Sequence, residues 1–191
     1  EKIYRQTDET FIDFLNGIRD KTISQQEIDD LNRRVIEDDL WSVLDDKPVI
    51  LTATNAQADA INQTKLAELQ TKLLLFDATK QGKFEQGAFP TDEELRIKKG
   101  ARVMMVNNDP AGDWVNGSMG KVTDTFQDEA TNEVVIEVEL DTGDIVEVGP
   151  HTWEVSKSYY NKEMKSIERE AIGKFIQYPL RLAWAMTIHK S

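Results

Sequence analysis

The sequence predicts an α/β domain interrupted by a small antiparallel β-barrel. Three observations lead there. The apolar run Val49–Leu51 passes through a polar turn into a helical pattern, the strand–turn–helix unit from which α/β sheets are built. From about Arg96 the texture changes to short alternating strands with glycine-marked turns. A second apolar run, Leu180–Ile188, then returns the chain to the α/β sheet.

The 191 residues suit one large domain or two small ones. A hydrophobic share of 39% and a charged share of 30% describe a soluble globular protein with enough apolar residues for a core. No run of apolar residues is long enough to span a membrane. The start, Glu1–Thr10, resembles no signal peptide and has no initiator methionine, so the chain reads as a piece of a longer protein. Zero cysteines exclude disulfides, thiolate metal sites and a cysteine nucleophile. The net charge of −12 opposes a broad nucleic-acid surface. Its distribution leaves room for a local one. Residues 91–150 carry 14 acids against 5 bases, but residues 51–90 carry 4 of each and residues 151–191 carry 4 against 7.

The elements follow in order. Phe11, Leu15 and Ile18, widened by Phe14, recur with helical spacing in a first short helix. Ser24 and Glu27 form a capping box for a second, with Ile28, Leu31 and Val35 on its buried edge. After the Val49–Leu51 strand, Thr54 or Asn55 caps a helix whose inner face uses Ile61 and Leu66, with Leu69 near its end. Strands are expected at Ala101–Val106 and after the turn at Asn116–Gly117. Val134, Ile136, Val138 and Leu140 alternate with outward glutamates in a third, and Asp141–Asp144 turns it into Ile145–Val148. Four sequential short strands suggest a barrel of SH3 type with a negative solvent face. The charge-mixed stretch Val155–Pro179 reads as a helical or hairpin arm anchored by Tyr159, Tyr160 and Phe175.

Tests for complete active sites fail. Gly117–Val122 superficially resembles a phosphate loop, but the required first glycine falls on Val115 and the final Ser/Thr on Val122. It also lies between strands. His151 has no second histidine or cysteine nearby, so no metal site is expected. Asp29–Asp30 and Asp38–Asp39 read as solvated helix surface, and no Gly-x-Ser-x-Gly elbow is present.

The stretches "KIYRQTDETFIDFLNGIR", "GARVMMVNND", "WVNGSMGKV" and "FIQYPLRLAWAMTIHKS" together resemble the second half of PIF-type DNA helicases, in the RecD-like branch of superfamily one. The resemblance runs in order from residue 2 to residue 191. It implies a second RecA-like domain, residues 1–96 and 177–191, interrupted at residues 97–176 by an SH3-like barrel with a polar arm. The family's phosphate loop, its magnesium-binding acids and a later arginine motif are absent from these residues.

The resemblance further implies an ATP-dependent helicase moving 5′ to 3′ on single-stranded DNA, with roles in repair, recombination and telomere maintenance. ATP and Mg2+ would be held mainly by an N-terminal RecA-like domain of the same protein, leaving this chain alone without ATPase activity. Arg5 matches the arginine that reaches the γ-phosphate, and Gln6, Lys190 and Ser191 match the ATP-coupling positions. Thr187, His189 and Lys190 match the DNA-contacting turn. Thr52, Thr54 and Asn55 are candidates for backbone contact at a neighbouring strand end, and Asn107 and Asn116 for the same channel. Trp114 is a candidate to stack on a base or partner, whereas Trp153 and Trp184 are assigned to the core. A monomer in the cytoplasm, nucleoid-associated or otherwise intracellular, is expected. The rival readings are a non-catalytic module recruiting a protein or nucleic acid through the barrel, and an enzyme of another class, for which no nucleophile or base is found.

Overall fold

The computed structural model describes residues 9–33, 35, 48–82, 89–161 and 166–187. Contacts divide the chain into two compact units, residues 1–47 and 48–191. In the first, α1 (Glu9–Asp20) brings Phe11 and Phe14 into a stack with ring centroids 6.3 Å apart. The helix ends at Lys21, whose φ of 58° is left-handed, and the N–H groups of Thr22 and Ile23 turn back to the Gly17 carbonyl. The predicted capping box starts α2 (Gln25–Asn32). The Glu27 N–H donates to Ser24 Oγ at 3.3 Å, and the Ser24 N–H donates to Glu27 Oε2 at 2.8 Å. The Ser24 hydroxyl also donates to Glu27 Oε2, at 2.6 Å, and this bond first, then that of the Ser24 N–H, holds the Glu27 carboxyl below its usual pKa.

The second unit begins with the α/β element. Strand β1 (Ile50–Thr52) lies parallel to β12 (Ala185–Thr187), pairing Ile50 with Ala185 and Thr52 with Thr187. Between them in sequence, α3 (Asn55–Glu68) is capped by Thr54, whose Oγ1 accepts the Gln57 N–H. Its buried line is Ala58, Asn62 and Leu66, spaced four apart.

The expected antiparallel strands form as β5 (Arg102–Met105), β6 (Met119–Gln127), β7 (Val134–Leu140) and β8 (Ile145–Val148). Ile136, Val138 and Leu140 are buried and Glu139 is exposed, so the alternation holds. Gly143, at φ 91°, closes the β7–β8 turn. At Gly120 of β6 a Cβ would meet the Glu139 carbonyl at 2.5 Å, so the close approach of β6 to β7 requires glycine.

Three features extend beyond the expected four strands. Strand β11 (Leu180–Leu182) adds to β5, giving the order β11-β5-β6-β7-β8. Strands β2 (Leu73–Asp77) and β4 (Glu94–Lys98) form a separate antiparallel pair, and β4 sends Leu95 and Ile97 into the core with Val103, Met105, Val122, Ile136, Val138 and Leu180. No backbone ladder closes this set into a ring among the described residues. The arm is a hairpin, β9 (His151–Asn161) with β10 (Ser166–Gln177), and β3 (Thr79–Gly82) pairs with β10 as a third strand.

The run Leu180–Ile188, read as one strand of the α/β sheet, is divided. Leu180–Leu182 belongs to the five-stranded sheet, and the chain crosses at Ala183–Trp184 before Ala185–Thr187 joins β1. The Ala183 N–H still donates to the Arg102 carbonyl, and the Ile50 N–H donates to the Trp184 carbonyl.

Buried polar side chains tie the pieces. Gln177 Nε2 donates to the carbonyls of Phe76 and Glu93, at 2.8 and 3.1 Å, while its Oε1 accepts the Tyr178 N–H. Thr91 Oγ1 donates to the Leu180 carbonyl. The Tyr178 hydroxyl donates to the Val134 carbonyl at 2.5 Å, and its ring packs 4.5 Å from Phe76.

Burial, with the Glu133 charge adding, pushes the Tyr178 phenol up to about 12. The raised value means the neutral phenol is the form that fits. Its contribution to stability is therefore intact below the unfolded value of 10.0 and is lost as pH rises through about 12. Ultraviolet titration of phenolate is expected to show one late tyrosine step that Tyr178→Phe removes. A late step persisting in that variant would assign it elsewhere.

Candidate functional site

The C-terminal ends of β1 and β12 lie side by side because the strands are parallel and in register. Thr52 and Thr187 are the paired last residues of the two strands. Helix α3 starts three residues after Thr52, so its N-terminus opens at the same end. Ligand sites in parallel α/β sheets form at this edge, and free N–H groups at a helix start favour an anion. The first turn of α3 carries no acidic residue to oppose one.

The four candidates described at this end divide into a frame and an exposed pair. Thr52 and Thr187 are buried. The Thr52 hydroxyl faces the carbonyls of Thr54 and Met186, at 3.1 and 3.3 Å, and Thr187 Oγ1 donates to Asn55 Oδ1 at 3.2 Å. Thr54 and Asn55 are exposed. Asn55 accepts from Thr187 through its oxygen, and its amide nitrogen has no hydrogen-bond acceptor among the described residues. The edge thus offers hydroxyl, amide and backbone N–H groups, a donor set that suits sugar-phosphate oxygens and ignores base identity. Arg5, Gln6, His189, Lys190 and Ser191 lie outside the described residues.

Asn62 was not among the residues singled out in the sequence, yet it organises this edge. The side chain is buried on α3. Its Oδ1 accepts the Ala185 N–H at 2.8 Å, and its Nδ2 donates to the carbonyls of Ala185 and Leu182, at 2.9 and 3.3 Å. An amide on the Ala58–Leu66 stripe was the available signal, since a polar group on an inner helix face requires partners.

Asn107 and Asn116 occupy the loop between β5 and β6. Asn107 Oδ1 accepts the Trp114 indole N–H at 3.0 Å. Trp114 is 8% exposed and belongs to the core, so it offers no face for a base, contrary to the stacking expectation. Indole carries too much apolar surface to leave in water when a core lies beneath the loop. Asp109 braces the loop by accepting the Ala111 N–H at 2.8 Å. Asn108 Oδ1 accepts the Asn116 N–H at 2.7 Å, leaving the Asn116 side chain exposed. Trp184 packs partly buried against the core, and Trp153 is half-buried between His151 and Phe175. Burial lowers the His151 pKa. Among the described residues no group of three or more His, Asp or Glu could hold a metal ion, and no helix is long and apolar enough to cross a membrane.

Asn107→Ala would leave the buried Trp114 N–H without an acceptor. A stability loss of about 1–3 kcal/mol in urea denaturation is expected. An unchanged midpoint would show that the loop holds Trp114 by packing alone.

No family model matches the chain. An ATP-dependent DNA helicase Pif1 from Bdellovibrio bacteriovorus is 31% identical over 98% of this chain and 39% of its own length. The crystal structure of Bacteroides sp Pif1 in complex with ADP-AlF4 matches at a TM-score of 0.85 and 34% identity, over 100% of this chain and 42% of that one. Bacteroides Pif1 bound to single-stranded DNA matches at 0.67 and 33%, again over 100% and 42%. The chain thus spans about two fifths of the length of these relatives, and its mixed α/β fold is that of Pif1 helicases, which is RecA-like. With full coverage of this chain by both relatives and structures, it belongs to the Pif1 helicase family and corresponds to a C-terminal portion of it.

Proposed function

We propose that the chain is part of an ATP-dependent DNA helicase that translocates 5′ to 3′ on single-stranded DNA and unwinds duplex. The observation that carries this reading is the strand-end frame. Thr187 and Asn55 are bonded side chain to side chain, at the edge where α/β sheets bind ligands, in a chain similar to ATP-dependent DNA helicases along its whole length.

In this reading the exposed Thr54 and Asn55 meet the DNA backbone, held by the buried Thr52 and Thr187, with His189 and Lys190 continuing the contact. Asn116 adds a contact from the β5–β6 loop, and Asn107 supports that loop through Trp114. Hydroxyl and amide donors are uncharged and bind phosphate without forming ion pairs, so a moving motor can release them.

In the same reading Gln6, Lys190 and Ser191 take the ATP-coupling roles, and Arg5 takes that of the γ-phosphate arginine. A guanidinium there stabilises charge on the transferred phosphoryl group and senses its loss. ATP closes the cleft between this portion and an N-terminal RecA-like domain of the same protein, and hydrolysis reopens it, so grip on the strand alternates. The donors at the β1–β12 edge fit phosphate oxygens and not a divalent cation. Mg2+ would therefore be held by the other domain, where it would neutralise charge on the phosphates. The protein acts as an intracellular monomer, nucleoid-associated where the cell is bacterial.

In the full-length protein, Arg5→Ala is expected to lower the ATP turnover rate by about 10³-fold or more while the Kd for single-stranded DNA stays within a few-fold. Retained turnover would remove Arg5 from the phosphate role. The 191-residue chain alone is expected to hydrolyse no ATP, and turnover by a clean preparation would reveal a site within it. A full-length protein without DNA-stimulated ATP hydrolysis would sink the helicase reading.

A further inference from the structure

Three separate parts of the fold meet on the side chain of Asn62. Its two bonds to Ala185 take both backbone groups of that residue, as a neighbouring strand would, and fix where β12 begins. The third, to the Leu182 carbonyl, reaches the last residue of β11 in the other sheet. One amide on α3 therefore spans both sides of the Ala183–Trp184 crossover.

The same helix and the same strand meet again two residues along β12. Ala185 is held by Asn62, Met186 accepts from Thr52, and Thr187 donates to Asn55. Helix α3 begins with the exposed Thr54 and Asn55, and β12 leads into the residues that follow Thr187. A shift of β12 along its axis would break the Asn62 bonds and carry Thr187 away from Asn55. Each broken bond would strand a buried polar group, so the arrangement resists gradual slippage. Asn62 itself is buried and distant in sequence from both strand ends, so it needs no contact with either ligand.

We propose that Asn62 is a positioning residue that couples DNA contact to ATP hydrolysis, by holding β12 in register with α3. The proposal rests on the helicase reading above. It assigns the coupling to a residue that the reading itself leaves without a role. Signals between the DNA-facing start of α3 and the ATP-coupling residues that follow β12 in sequence pass through one rigid body only while this amide is in place.

The test uses full-length protein carrying Asn62→Ala or Asn62→Asp. The aspartate keeps the shape and the acceptor but turns a second oxygen toward two carbonyls. Both variants are measured for DNA-free and DNA-stimulated ATP turnover, KM for ATP and Kd for single-stranded DNA. The expected result is a loss of DNA stimulation of about tenfold, within the usual span of coupling between sites. DNA-free turnover and KM should stay within about threefold of the wild type on the same scale of coupling, and stimulation is compared at saturating DNA so that a weaker Kd does not enter it. Stimulation that is retained, or that falls in proportion to DNA-free turnover, would overturn the proposal. If thermal melts show that Asn62→Ala or Asn62→Asp does not fold, Asn62→Gln carries the test by the same criterion, since it keeps donor and acceptor on a longer stem. Absence of DNA stimulation in the wild type would instead fail the helicase reading.

Discussion

A buried amide with every strong hydrogen-bonding group in use is the constraint on which the larger unit depends. Asn62 is 6% exposed. An unpaired amide at that depth costs several kcal/mol, whereas a fully bonded one is close to neutral and directional. The direction is what matters. Van der Waals packing between α3 and the β1–β12 pair would tolerate sliding, because apolar contacts have no preferred register. Three hydrogen bonds to backbone atoms at Leu182 and Ala185 do not. A parallel pair of three residues per strand has few ladder bonds of its own, and the amide adds what amounts to a further strand partner.

Electrostatics favour the proposed binding edge by exclusion. Glutamates line the solvent side of β7, and some of the acids elsewhere sit in exposed ion pairs. Lys99–Asp124 and Lys65–Glu68 are examples, each worth little in water. Arg102 is better held, since Asp141 takes both of its terminal nitrogens at 2.5 Å. Such pairs remove cations from general use. The start of α3 has neither acids nor ion pairs in its first turn, so a phosphate approaching there meets N–H dipoles and amides without local repulsion.

How much could be read in advance depended on whether the signal was local. The Ser24–Glu27 box is local chemistry and formed where the residues placed it, and of the two cap candidates Thr54 and Asn55 it is Thr54 that caps α3. The β7 alternation is equally local. Strand β2 escaped because Leu73–Phe76 is apolar throughout, although Leu73 and Leu75 are exposed and Leu74 and Phe76 pack inward. Such a run shows no period of two. Strand β3, Thr79–Gly82, has no large apolar side chain and forms through its ladder with β10. The break in Leu180–Ile188 carries no Gly or Pro, and only the two competing partner strands create it. Trp114 looked like a loop aromatic because it lies in the turn-rich stretch between Gly112 and Gly117, and its burial is a tertiary fact.

That division of one apolar run between two sheets explains why the joint needs a polar clamp. Leu180–Leu182 answers to β5 and Ala185–Thr187 answers to β1, with two residues to change direction. Across so short a crossover, any rotation of one sheet must move the start of β12. Apolar packing of the half-buried Trp184 cannot resist that motion alone, since a side chain can repack at small cost. The Leu182 and Ala185 carbonyls, both bonded to the same Asn62 nitrogen, can separate only if one bond breaks. The crossover is thereby a joint with a defined closed state. In the proposed motor, that state delivers Thr187 to Asn55, so the geometry of the DNA-facing edge is set by the connection between the sheets and not by either sheet alone.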